Sequence, residues 1–368
     1  MTRTDADRST PSVVIAGGGT GGHLYPGIAV AQEIVRRHPD ARVSFAGTAR
    51  GLEARVVPRE GFSLDLIRSA GLKGKSAASR LRGLALIVPG LLDAWRIVSR
   101  RRPDVVIGVG GYSSGPVVLV AALRGVPTMV LEQNAVPGLT NRLLARVVRA
   151  AAVSYDRTLP FFRGRGFVAG NPVRAAFFAR PGRAASAGGA PARVLILGGS
   201  QGAHAINLAM VAAAPDLVRR HPGIVLVHQT GARDLEVVRS AYREAGVDAR
   251  VEAFFDPVVD EVMAADVVVG RAGATTLAEL AAAGRASVLV PLPTATDDHQ
   301  RKNAQVLAGA GAAVVVDERD LTGPALAAAI GDLIAHAPAR DRMAEAVRAF
   351  ARPDAAARIV DRALELAG

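Results

Sequence analysis

Ala16–Pro26, AGGGTGGHLYP, joins an apolar run, Ser12–Ala16 (SVVIA), to a segment where Leu24, Ile28, Val30, Ala31 and Ile34 recur at helical spacing. The order is strand, glycine loop, helix. Five glycines in positions 17–22 let the backbone take positive φ and approach a ligand closely. The helix behind them presents N–H groups and a partial positive charge, a place for an anion or a diphosphate. His23 stands at the helix start, where an imidazole can exchange protons with a bound substrate.

The same unit recurs outward from this stretch. Ala41–Ala46, Phe62–Ile67, Asp104–Gly108 and Val126–Leu131 read as strands, and Gly110–Pro116 (GGYSSGP) is a second glycine turn opening a helix. Val126–Leu131 ends at Glu132-Gln133-Asn134. Alternating strands and helices predict an α/β chain with a doubly wound parallel sheet, whose ligands bind beyond the carboxyl ends of the strands. Arg180–Ala192, small and Gly/Ala-rich, reads as a connection. Beyond it Arg193–Leu197, Gly198–Ala203 and a helix to about Arg220 begin a second such sheet. Two Rossmann-like domains are expected, 1–180 and 181–368, with the last helix available to pack back on the first.

The chain has 368 residues, half of them hydrophobic, and no cysteine, which suits a reducing compartment and excludes disulfides and thiolate metal sites. The polar N-terminus lacks the apolar core of a signal peptide, and no uncharged apolar run is long enough to span a bilayer, so a cytoplasmic location is expected. Residues 1–180 hold 26 basic and 11 acidic residues, against 19 and 22 in residues 181–368. A basic first half suggests an anionic partner, nucleic acid or a membrane surface. Few aromatics argue against base stacking and so against nucleic acid. Arg68–Arg102 combines nine basic residues with an apolar face, and Pro89-Gly90 predicts a break or kink within it. This segment reads as a crossover helix covering the sheet or as a membrane-surface patch, and the two are compatible.

Three motif matches point elsewhere. Gly17–Gly22 satisfies G-x-G-x-x-G, but the second strand ends Phe45-Ala46-Gly47-Thr48 without the acid that holds a dinucleotide ribose. Gly198–Gly202 satisfies G-x-S-x-G, yet no oxyanion-hole motif precedes it; Ser200 and its neighbouring N–H groups can instead hold a phosphate. Gly74-Lys75-Ser76 lacks the first glycine of a Walker A. No metal-ligand cluster stands out, so neither metal nor cofactor is expected.

In Asp266–Asn303 a strand runs into Gly270–Gly273 and a helix from about Ala274. Thr275 and Thr276 can reach phosphate oxygens, and Glu279, one turn on along the same face, can accept hydrogen bonds from a ribose diol. The next loop carries His299, Gln300 and Asn303, whose amides suit sugar hydroxyls.

GGGTGGHLYP, GVGGYSSGP, EQNAVPGLTNRLL, GNPVR, GGSQGA and RAGATTLAELAAAGRASVLVPLPTATDDHQRKNA together resemble the MurG-type bacterial glycosyltransferases, over nearly the whole chain. The resemblance implies GT-B architecture, two Rossmann-like domains facing across a cleft. It implies inverting transfer of N-acetylglucosamine from UDP-GlcNAc to the C4 hydroxyl of the muramoyl sugar of lipid I, giving lipid II, without a metal, peripherally on the inner face of the cell membrane. It places Thr20, Gly21 and Gly22 against the donor's sugar and diphosphate, Asn134 on the sugar, and Arg174 and Ser200 on the diphosphate. Phe255 then contacts uracil through its backbone. Ala274, Thr275, Thr276 and Leu277 form the helix mouth, Glu279 holds the ribose and Gln300 the GlcNAc hydroxyls. His23 and Tyr112 lie on the acceptor side, with Asn134 completing the catalytic set. A UDP-sugar 2-epimerase or hydrolase on the same fold, and a non-enzymatic nucleotide-binding module, stay open.

Overall fold

Every side chain of Ser12–Gly17 (β1) is buried, which only a strand covered on both sheet faces allows. The computed structural model describes residues 10–69, 86–178, 191–199 and 202–368. The chain divides into two units, Met1–Arg174 with Arg352–Gly368, and Ala175–Ala351.

In the first unit β1 is followed by β2 (Arg42–Gly47), β3 (Ser63–Leu66), β4 (Val105–Gly110), β5 (Thr128–Glu132), β6 (Ala150–Val153) and β7 (Gly166–Val168). All pair parallel, in the order β3-β2-β1-β4-β5-β6-β7. Alternate residues serve opposite faces. Val13 and Ile15 pack with Leu24, Ile28 and Ile34 of the helix Gly21–Arg37 and with Ile359 and Val360 of the C-terminal helix Ala355–Ala367. Val14 and Ala16 share the other core with Ala94, Ile97 and Val98 of the helix Ile87–Arg101 and with Val117 and Val118 of the helix Ser114–Leu123.

The second unit repeats this layout with β8 (Arg193–Leu197), β9 (Val225–Gln229), β10 (Ala249–Glu252), β11 (Val267–Gly270), β12 (Ala286–Leu289) and β13 (Val314–Val315). They are parallel, in the order β10-β9-β8-β11-β12-β13. Both sheets change winding direction beside their first strand, between β1 and β4 and between β8 and β11. At such a switch point the loops part and leave a crevice. The Rossmann-like α/β class expected from the sequence is therefore present in both units.

One sequence reading needs correction. Pro89 does not kink the helix Ile87–Arg101; it lies in its first turn, where a missing N–H costs nothing. Residues 70–85, with Lys73, Lys75, Arg80 and Arg82, lie outside the described residues, as do Ser200 and most of the expected connection.

Candidate functional site

In the first unit three loops gather at the switch point. After β1, Gly17, Gly18 and Gly19 take φ of 147°, 145° and 86°, and Gly18 N–H donates to Gly110 O at 3.4 Å. The two glycine turns touch so closely that side chains are excluded. A Cβ on Gly111 would stand 2.5 Å from Gly18 O, and one on Gly110 would stand 2.6 Å from His23 Nδ1. His23, in the first turn of Gly21–Arg37, therefore rests on bare β4 backbone. Thr20 caps this helix through its backbone, and its exposed hydroxyl makes no capping bond. The Arg174 guanidinium lies 5.1 Å from the Tyr25 ring centroid, beside the same turn. Tyr112 is exposed, and its carbonyl accepts from Ser69 Oγ at 2.9 Å.

The loop after β5 is shaped by Glu132, a buried carboxylate absent from the sequence-based site. It accepts from Asn134 N–H (3.0 Å), Asn134 Nδ2 (3.1 Å), Gly138 N–H (3.0 Å) and Asn141 Nδ2 (2.9 Å). Burial pushes its carboxyl above the usual range, and these donors pull against that. Asn134 is thus oriented by Glu132. Glu53 has an analogous place at the first loop.

In the second unit the helix Ala274–Ala283 opens at the switch point, after Gly273. Leu277 N–H donates to Gly273 O at 3.0 Å and its side chain is in the core, so the mouth consists of Ala274, Thr275 and Thr276, which precede the first helical bond. Thr276 and Glu279 are both half-buried, one turn apart. Gln300 Oε1 accepts from Leu292 N–H at 3.0 Å, which fixes the loop after β12 and turns the amide's NH2 outward from that bond. Asp297 and Asp298, both at φ 55°, shape the turn ahead of Gln300. Asn303 is fully buried and is a core brace rather than a sugar-facing amide.

Two braces in this unit also escaped the sequence reading. Buried Gln229 donates from Nε2 to Gly199 O and accepts Phe255 N–H at Oε1, each at 3.0 Å. It ties the glycine turn after β8 to the loop after β10, and it occupies the Phe255 N–H. Arg271 donates to Val290 O at 3.2 Å and pairs with Glu318 at 2.5 Å, joining the loop after β11 to those after β12 and β13. Among the described residues no group of three His, Asp or Glu side chains is arranged to hold a metal ion.

The geometry of each unit agrees with the comparisons. The models of the glycosyltransferase family 28 N-terminal and C-terminal domains match residues 13–153 and 193–359. A relative from Anaeromyxobacter dehalogenans strain 2CP-C is 50% identical over 96% of this chain and 92% of its own. One from Myxococcus xanthus is 45% identical over 96% and 92%. Both are named UDP-N-acetylglucosamine--N-acetylmuramyl-(pentapeptide) pyrophosphoryl-undecaprenol N-acetylglucosamine transferase. The crystal structure of Acinetobacter baumannii MurG is similar at a TM-score of 0.77 and 30% identity, over 96% of this chain and 99% of that one. UDP-GlcNAc 2-epimerase from Neisseria meningitidis shares the fold, at a TM-score of 0.69 and 13% identity over 96% and 99%.

Proposed function

The chain belongs to glycosyltransferase family 28, and from that premise we propose that its second unit binds UDP-GlcNAc, its first unit binds lipid I, and its residues act as follows. The enzyme is a UDP-GlcNAc-dependent N-acetylglucosaminyltransferase that forms the lipid II precursor of peptidoglycan. The observation that carries this is identity at the 50% level running through both units.

The C4 hydroxyl of the muramoyl sugar attacks the anomeric carbon opposite UDP. The new C–O bond forms as the bond to phosphate breaks, and the configuration inverts. His23 takes the hydroxyl proton. Charge gathers on the departing diphosphate, where the helix mouth Ala274–Thr276, Arg174 and Ser200 stabilise it. Glu279 accepts from the ribose hydroxyls, and Gln300 donates its NH2 to the GlcNAc hydroxyls. Thr20, Gly21, Gly22 and Asn134 border the sugar, and Tyr112 lies with the acceptor. With its N–H held by Gln229, Phe255 meets the base through its carbonyl.

Incubating the purified protein with UDP-GlcNAc and a lipid I analogue should release UDP and disaccharide in equal amounts. UDP without disaccharide, or a 2-epimerised sugar, would favour the epimerase or hydrolase reading instead.

The enzyme works at the inner membrane surface. No helix among the described residues is long and apolar enough to cross a bilayer. The helix Ile87–Arg101 buries Gly90, Ala94, Ile97 and Val98 yet also exposes Val88, Leu92 and Trp95, a second apolar stripe at helical spacing. Arg124 lies 4.5 Å from the Trp95 ring centroid, and neighbouring Leu123 is 76% exposed. Apolar side chains amid arginines suit an anionic bilayer, where each basic residue contributes about 1 kcal/mol. Replacing Leu92 and Trp95 with serine, or neutralising Lys73, Lys75, Arg80 and Arg82, should reduce co-sedimentation with anionic vesicles at low salt at least several-fold. Unchanged sedimentation in both variants would remove the membrane from this reading.

A further inference from the structure

Glu53 opens the helix Glu53–Arg59 and is wholly buried. Its carboxylate accepts from Gly19 N–H at 2.7 Å and from both Thr48 N–H and Thr48 Oγ at 2.8 Å. Among the described residues these partners are all neutral. The surrounding backbone is cut away to admit it. A Cβ on Gly18 would stand 2.5 Å from the carboxylate, one on Gly47 would stand 2.5 Å from Glu53 Cγ, and one on Gly51 would overlap its oxygens. Gly47 and Gly51 have no positive φ, so what they provide is room.

A glycine loop between a first strand and a helix ordinarily turns its amides toward a bound anion. Here Gly19 N–H is already committed to an anion the chain supplies. In a dinucleotide fold the acid after the second strand reaches a ribose; here the acid after β2 turns inward on the loop. We infer that Glu53 is a positioning residue: its carboxylate takes the place of an external anion in the first glycine loop and holds Gly17–Thr20 so that His23 starts the following helix in its working orientation. The role in turnover rests on the transferase reading; the loop-holding role does not.

Glu53→Gln keeps the volume but turns an NH2 toward either Gly19 N–H or Thr48, where only an acceptor fits. Glu53→Ala leaves a space the size of a carboxylate. In Glu53→Gln, turnover with UDP-GlcNAc and a lipid I analogue should fall at least tenfold with the melting temperature within a few degrees of the parent. KM for UDP-GlcNAc should change less than kcat, because the donor's nucleotide is held by the other unit. Amide hydrogen exchange over residues 17–20 should be slow in the parent and clearly faster in the variant. Glu53→Ala should regain turnover several-fold in added formate. Parent-like turnover and exchange in Glu53→Gln would overturn the inference. So would a turnover loss that merely follows the melting temperature and ignores formate. Should neither variant fold, fast exchange of the Gly19 amide in the parent would overturn it, and slow exchange would support it. A parent that fails to transfer the sugar while its loop exchange still depends on Glu53 would count against the transferase reading alone.

Discussion

His23→Ala should lower kcat for disaccharide formation by about 100- to 10,000-fold, with KM for UDP-GlcNAc within a few-fold of the parent. A sugar hydroxyl is a poor nucleophile near neutral pH. A base that removes its proton as the C–O bond forms acts in the transition state far more than in the ground state. An imidazole is the side chain whose ordinary pKa best matches that task. The structure adds a second way to reach the same residue. Gly110 has φ 99°, and a Cβ there would stand 2.6 Å from His23 Nδ1. Gly110→Ala should therefore displace the ring and strain the turn, and it should lower kcat without removing any ionisable group. Steady-state kinetics on both variants, with folding verified by melting, checks this. If His23→Ala turned over nearly as fast as the parent, the ring would be a hydrogen-bonding group and the base would lie elsewhere.

The architecture was readable because each strand–glycine–helix junction carries a local signal. Apolar runs such as Val105–Gly110 end in glycines that the touching backbones require, and the helix that follows shows its own period. Helix starts were less readable. Gly21 and Gly22 read as loop, yet they lie inside the helix Gly21–Arg37, because burial of Leu24 and Ile28 under β1 outweighs the poor propensity of two glycines. The braces left almost no trace. Glu53, Glu132, Gln229 and Arg271 are polar residues that composition would place in solvent, and each instead binds backbone groups of a loop, which for all but Glu132 is distant in sequence. For Glu53 a signal did exist: glycines at 47 and 51, on either side of Thr48, where no turn demands positive φ. Glycine used for room looks like glycine used for flexibility until the neighbour that fills the room is known.

The second large effect is on stability in acid. His228, on β9, is fully buried, with Nδ1 2.8 Å from Tyr242 Oη and Nε2 3.0 Å from Asn207 Oδ1. Asn207 Nδ2 donates to Thr230 O and to Asp234 Oδ2, which makes Oδ1 an acceptor. Nε2 therefore carries the proton, and Nδ1 accepts from Tyr242. Burial holds this imidazole far below its ordinary value of 6.5, down to about 3. The folded pKa is depressed, so the neutral ring's contribution is intact above pH 6.5 and is lost as pH falls toward 3. Linkage gives a loss of about 2 kcal/mol by pH 5. Asp234 does not cancel this. Desolvation raises its carboxyl, but bonds from Arg233, His204 and Asn207 outweigh it and bring it to about 2, so its own loss begins only as pH falls through the ordinary value of 3.8 and continues toward 2. Urea unfolding of the second unit's β9 region, followed by hydrogen exchange, should lose about 2 kcal/mol between pH 7 and pH 5. His228→Gln should lower stability at pH 7 and flatten that dependence. An equally steep dependence in His228→Gln would move the sensor elsewhere. The consequence reaches the second unit's glycine turn, because Thr230 O, which Asn207 holds, lies where any side chain on Gly202 would have to go. In the folded unit the ring takes its proton only as pH nears 3, so UDP-GlcNAc affinity should hold between pH 7 and pH 5, where stability already falls, and weaken only in stronger acid.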